Sequence, residues 1–186
     1  MSTNSKLQEL TKGAIFLALM IVFAMIPGIP LGFLPVPIVV QNLAVMLIVL
    51  ILGTKRGTLV LAAFLLLVAM GLPVLSGGRG GLAILFGPTG GYLWSWLIFP
   101  SAYWGLNRLI FKKKLGDEPS CWQGFVLLAA VDIIIVYGIG ALWLHLNQGL
   151  DFWSAYVANF AFIPGDLIKV FLAVLLSRAL FEANQH

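Results

Sequence analysis

The chain has 186 residues, 61% of them hydrophobic and only 10% charged, and a formal net charge of +4. Soluble domains carry about 25% charged and about 45–50% apolar residues, whereas mean hydropathy here is +1.03. This composition excludes a water-soluble globule and points to lipid as the solvent. The positive charges sit mostly between apolar runs, which makes them a topology signal rather than a nucleic-acid footprint. A single cysteine, Cys121, excludes an internal disulfide and a CxxC metal site.

Six apolar segments follow in chain order, at about 13–27, 37–53, 57–73, 88–111, 124–146 and 152–181. A membrane helix needs roughly 20 such residues. The expected fold is an all-α integral membrane protein, one transmembrane domain over 1–186 with six spans. The first segment follows Lys6 and Lys12, as a signal peptide would. It continues into Met25-Ile26-Pro27-Gly28-Ile29-Pro30 with no small-x-small cleavage site, so a retained helix is expected. Lys6, Lys12, Lys55, Arg56, Arg108, Lys112, Lys113, Lys114 and Arg178 fall at the N-terminus and on every second side after it. Asp117 and Glu118 share one of those connections but influence orientation little. Only Arg79 and Lys169 fall elsewhere, so both termini are expected in the cytoplasm of a multi-pass protein.

The outer connections are neither helical nor ordinary solvated loops. The stretch from Pro27 to Pro37 carries four prolines among apolar residues, a composition that cannot form a helix and is expected to fold over the bundle as a lid or plug. The next runs from Gly71-Leu72-Pro73-Val74 through Gly77-Gly78-Arg79-Gly80-Gly81 to Gly87-Pro88-Thr89-Gly90-Gly91. Non-helical backbone at membrane depth survives only where protein buries it or a wet cavity lies beside it. Two such loops on one face indicate a site opening outward.

Asp166 and Lys169 stand in the last apolar segment, three residues apart and so on one helix face. Ionisable residues inside a membrane usually face a bundle interior or a cavity. Pro164-Gly165 precede them, so the helix is expected to break there and to place Asp166 in a new first turn; a capping aspartate with a neutralising lysine is the bland alternative. Arg79, among glycines, reads as a clamp for an anionic group, with Ser76 and Gly78 of the same loop beside it, against the commoner role of a solvated arginine in a flexible loop. Gln41, Asn42, Asn159 and Tyr92 are candidates for a neutral polar ligand, against the commoner role of joining helices. Asp132 reads as a packing or interfacial residue. His145 alone makes no metal site. The sequence lacks a G-x-x-x-x-G-K-[ST] phosphate loop and a nucleophile elbow, so neither ATP hydrolysis by that route nor an enzyme is expected.

Pro35-Val36-Pro37 with Gln41, Gly53-Thr54-Lys55-Arg56-Gly57, Gly71-Leu72-Pro73-Val74, Gly77-Gly78-Arg79-Gly80-Gly81, Gly87-Pro88-Thr89-Gly90-Gly91-Tyr92 and Phe162-Ile163-Pro164-Gly165-Asp166-Leu167-Ile168-Lys169 together resemble the BioY family. These are biotin-specific substrate-binding (S) components of energy-coupling factor (ECF) transporters. The resemblance runs from about residue 14 to about residue 181 and departs mildly at Asn42, where the family pattern has threonine. It implies a six-helix S-component bundle in a prokaryotic plasma membrane. It also implies biotin as transported ligand with no cofactor or metal, and two kinds of partner: a transmembrane coupling protein and two cytoplasmic ATPases. The small residues Ala14 and Ala18 resemble the motif such components use to contact the coupling protein. Biotin's ureido N–H groups would suit Asp166, Gln41 or Asn159. Its ureido oxygen would suit Tyr92 or glycine-loop N–H groups, and its carboxylate Arg79 or Lys169. A self-sufficient secondary transporter using the Asp–Lys pair, and an assembly subunit without ligand, are the competing readings.

Overall fold

The computed structural model describes residues 3–112 and 120–183. Lys113, Lys114, Asp117 and Glu118, part of the charge pattern above, lie outside the described residues. The described chain is helical, with two isolated bridges (Ile29 with Ile38, Leu75 with Arg79) and no strand. Its helices are α1 (Thr3–Ala24), α2 (Gln41–Ala69), α3 (Leu82–Phe86), α4 (Gly90–Phe111), α5 (Cys121–Val131), α6 (Tyr137–Gln148), α7 (Phe152–Ala158) and α8 (Ile163–Ala183). A π-helical turn, Asp132–Val136, joins α5 to α6, and a 3-10 turn, Asn159–Phe162, joins α7 to α8. Among the described residues four helical stretches are long and apolar enough to cross a membrane: Leu7–Ala24, Gln41–Ala69, Cys121–Gln148 and Phe152–Ala183.

α2 is not one rod. A straight helix of 29 residues would be about 43 Å long, yet Gln41 at its start donates to the Val74 carbonyl just past its end, at 3.0 Å. The reversal is at Gly53, whose φ of 70° and ψ of −165° lie outside the helical region. Glycine alone adopts such angles cheaply. The arms 41–52 and 54–69 then pack face to face, with the Gly57 backbone against Ile48 and Pro100. Trp104 of α4 donates to the Val49 carbonyl at 2.9 Å, satisfying a group in the last turn of the first arm. Lys55 and Arg56 sit on this turn, and Arg56 pairs with Glu9 of α1.

Along α8 the side-chain distribution is inverted relative to a helix of a protein in water. Ile168 is 63% and Phe171 58% exposed, while Asp166 is 5% and Lys169 7% exposed. Such a helix is stable where the surrounding solvent is hydrocarbon and the polar groups meet partners inside.

Local rules fix the joints. Ser120 and Gln123 form a capping box at the start of α5, satisfying two free backbone donors. Exposed Asp151 accepts from Ser154 N at 2.8 Å at the start of α7, and that bond holds its carboxyl below the usual carboxylate range. α6 stops at Gly149, in the left-handed region. The expected break at Pro164-Gly165 is displaced: the irregular turn is Asn159–Phe162, and Pro164 lies in the first turn of α8. A proline there lacks only an N–H that would have no helical partner anyway. Asp166 does fall in that first turn, as expected.

Candidate functional site

One end of the bundle carries the loops 25–40 and 71–89; the Gly53 turn with its two cations is at the other. The proline-rich loop closes on itself through paired bonds between Ile29 and Ile38, both 2.9 Å. It buries Leu34 and Val36 and places 36–39 over the helices as a lid. The glycine-rich loop is tied to it by Ser76 Oγ, which donates to the Ile26 carbonyl at 2.7 Å. Arg79 Nε donates back to the Ser76 carbonyl at 3.0 Å.

A cavity of about 60 Å³ lies beneath these loops. Its polar lining is Asn42, Ser76, Arg79, Thr89, Tyr92, Tyr137, Asp166 and Lys169; Trp96 and Phe162 supply aromatic wall. Lys169 Nζ donates to Asp166 Oδ1 at 2.7 Å and Tyr137 OH donates to Asp166 Oδ2 at 2.6 Å. Each carboxylate oxygen thus has one fixed donor and room to accept another. Tyr92 OH donates to Asn159 Oδ1 at 2.7 Å, and Asn159 Nδ2 reaches the Tyr137 carbonyl at 3.4 Å. Asn159 therefore orients the Tyr92 side chain from behind and ties it to the Tyr137 backbone.

Of the residues singled out in the sequence, Asp166, Lys169, Arg79, Tyr92, Asn42 and Ser76 line this cavity, whereas Gln41, Asn159 and Gly78 do not. Gly78 is exposed on a loop turn with φ +69°. Gln41 is 1% exposed, and its amide nitrogen donates to both the Met20 and Val74 carbonyls at 3.0 Å. It bolts α1, α2 and the glycine-rich loop together. Hydrogen bonds between membrane helices average about 0.6 kcal/mol and reach about 1.7 kcal/mol. Gln41→Leu is accordingly expected to lower unfolding stability in detergent by about 1–3 kcal/mol. Thermal unfolding of the ligand-free variant checks this, and an unchanged midpoint would contradict the bolt.

Asp132 keeps the packing half of its sequence reading and loses the interfacial half. It is 2% exposed, not interfacial, and its carboxyl faces Asp166 and Lys169. Tyr137 was missed altogether. The cause of both is the π turn, in which Tyr137 N–H bonds to the Asp132 carbonyl, five residues back. In an α-helix residues five apart point about 140° away from each other; the wider turn brings both toward Asp166. Residue spacing alone carries no signal for such a turn. Among the described residues no cluster of metal-ligating side chains occurs.

The family model described as "BioY family" matches residues 1–186. The chain belongs to the BioY family. Relatives in it include the biotin transporter BioY of Rhizobium etli, 43% identical over 92% of this chain and 92% of the relative. That of Lactococcus lactis subsp. cremoris is 38% identical over 97% and 94%. A solved structure, the S-component for biotin from an ECF-type ABC transporter, superposes with a TM-score of 0.88. It is 36% identical, and the match covers 98% of this chain and 95% of that one. These BioY relatives span nearly the full chain, including every segment that builds the cavity, and the family is one of transport subunits, not enzymes.

Proposed function

We propose that the chain is the biotin-capturing S component of an ECF-type transporter in a prokaryotic plasma membrane. The observation that carries this is the cavity under the proline-rich lid, where an ion pair and a tyrosine converge on one carboxylate. Such a cluster suits a small ligand with urea-like N–H groups and an acidic tail: Asp166 accepts from the ureido N–H groups, the Asn42 amide donates to the ureido oxygen, and Arg79 pairs with the tail carboxylate. Trp96 and Phe162 cover the apolar ring. The cavity of about 60 Å³ is far below the roughly 300 Å³ at which small-molecule pockets begin. The lid over 25–40 and the loop around Arg79 part to admit ligand and close again.

In our reading the bundle makes six crossings. These are α1, the two arms of α2, α4, the α5–α6 unit and the α7–α8 unit, with both termini and the Lys55–Arg56 turn cytoplasmic. The cavity then faces outward. Ala14 and Ala18 are exposed on α1, and Ala14 joins Gly13, Val60 and Ala63 in an apolar groove of about 480 Å³. Small side chains there let a helix of the coupling protein approach closely. Two ATPases acting through that protein supply the energy, since the chain has no phosphate loop.

Calorimetry on detergent-purified chain, without ATP, should show one biotin bound per molecule; no heat at ligand concentrations well above the protein would end the proposal. Liposomes holding only this chain separate the rival transporter. Biotin accumulation driven by a proton gradient would favour self-sufficiency, and accumulation only with the coupling protein and ATPases would favour the S component.

A further inference from the structure

Asp132 is a buried group with no place in the scheme above. It sits on the π turn, and such turns occur often at functional sites. Its Oδ2 is buried and finds no donor among the described residues, while the carboxyl lies within hydrogen-bonding range of Asp166. Other charged or titratable groups facing this cluster are Lys169 of α8, Tyr137 of α6 and Tyr92 of α4. Two carboxylates beside one ammonium would leave an uncompensated negative charge inside an apolar bundle. Neighbouring carboxyls in such a site do not both ionise.

We propose that Asp132 is a positioning residue, a neutral carboxylic acid whose proton is shared with Asp166. The shared proton makes buried Asp132 a donor to Asp166, leaves Asp166 and Lys169 as a balanced pair, and fixes the Asp166 oxygens toward the cavity. Asp166 thus receives three donors, from Tyr137, Lys169 and Asp132, and retains lone-pair capacity for the ligand. The proposal rests on Asp166 and Lys169 being ligand contacts, but the proton itself is observable without ligand.

Infrared spectra of ligand-free, detergent-purified wild type and D132N at neutral pH test it. The expected result is a protonated-carboxyl C=O stretch in the wild type that D132N lacks. A wild-type spectrum without that band, or a band that survives in D132N, overturns the proposal whether or not biotin binds. The second arm is biotin calorimetry. D132L, which loses the donor, is expected to weaken binding roughly ten- to a hundredfold. D132N, whose amide still donates to Asp166, is expected to rescue affinity to within about threefold of wild type. Equal losses in D132N and D132L would overturn the role of the donor. The infrared comparison and the D132N affinity stand even if D132L does not fold. Wild type that shows the band but binds no biotin would sink the biotin reading and leave the shared proton intact.

Discussion

Asp166→Asn should reduce biotin affinity by about a hundredfold or more, corresponding to roughly 2.7 kcal/mol. Replacing the carboxylate by an amide removes the charge-assisted acceptor for a ligand N–H, about 1.5–3 kcal/mol by itself. It also breaks the 2.7 Å ion pair and leaves Lys169, 7% exposed, to find another counter-charge. Breaking one side of a buried pair typically costs about 3–5 kcal/mol. On the shared-proton proposal Asp132 releases its proton and takes over as partner of Lys169, so the loss of folding stability should fall below that range. Binding should still fail, because Asp132 does not line the cavity. The double variant Asp166→Asn with Lys169→Gln, which removes both charges, should recover much of the stability and none of the affinity. Calorimetry beside thermal unfolding of the three proteins decides. Wild-type affinity in Asp166→Asn would remove that residue from the site.

How much of this was legible beforehand varied with the signal each residue leaves. The prolines between 27 and 37 and the glycines around Arg79 are strong local constraints. The loops they dictate are where the structure has them, over the cavity. Asp166 and Lys169 were legible because ionisable residues in an apolar run demand a reason, and the structure supplies one in Tyr137 and Asp132. The reversal inside α2 is as legible: Gly53-Thr54-Lys55-Arg56 marks it in the sequence, and the backbone angles at Gly53 agree.

What failed to read was anything set by packing between distant segments. Gln41 looked like a ligand contact because amides bind polar ligands. The fold instead aims its N–H groups at two carbonyls, 21 and 33 residues away in sequence. Asn159 likewise serves the tyrosines rather than the cavity itself. Asp132 reads as packing or interfacial from its place in an apolar segment, and nothing in that place announces the π turn that sets it beside Asp166. In each case the residue type was informative and its direction was not. Direction depends on which helix lies opposite.

Gly91→Ala should destabilise the protein by about 3 kcal/mol, at or above the upper end of ordinary overpacking, and should weaken biotin binding at the same time. A Cβ at Gly91 would stand 2.2 Å from Trp143 Cβ and 3.0 Å from the Ile139 carbonyl. Neither atom is the movable tip of a flexible side chain, so α4 and α6 would have to separate. The contact is reciprocal: a Cβ at Gly140 of α6 would meet the Tyr92 ring at 2.3 Å. Each helix thus offers a glycine to an aromatic residue of the other. Trp143 is pinned over Gly91 by its Nε1 bond to the Gly87 carbonyl, 2.8 Å, and Tyr92 is pinned over Gly140 by its bond to Asn159. Prising the helices apart therefore displaces Tyr92 from the cavity wall, which couples stability to binding through one interface. The same two helices provide the control. Gly105 of α4 and Gly138 of α6 have nothing within 4 Å of a built Cβ, so Gly105→Ala and Gly138→Ala should be neutral or stabilising by up to about 1 kcal/mol, the helix-propensity gain of alanine. Thermal unfolding and biotin titration of the three alanine variants distinguish the outcomes. If all three behave alike, the close approach of α4 and α6 is not what positions Tyr92. If Gly91→Ala alone loses both stability and affinity, the paired glycines of Gly87-Pro88-Thr89-Gly90-Gly91-Tyr92 are there to let α6 approach and set the tyrosine, rather than to present backbone N–H groups to the ligand.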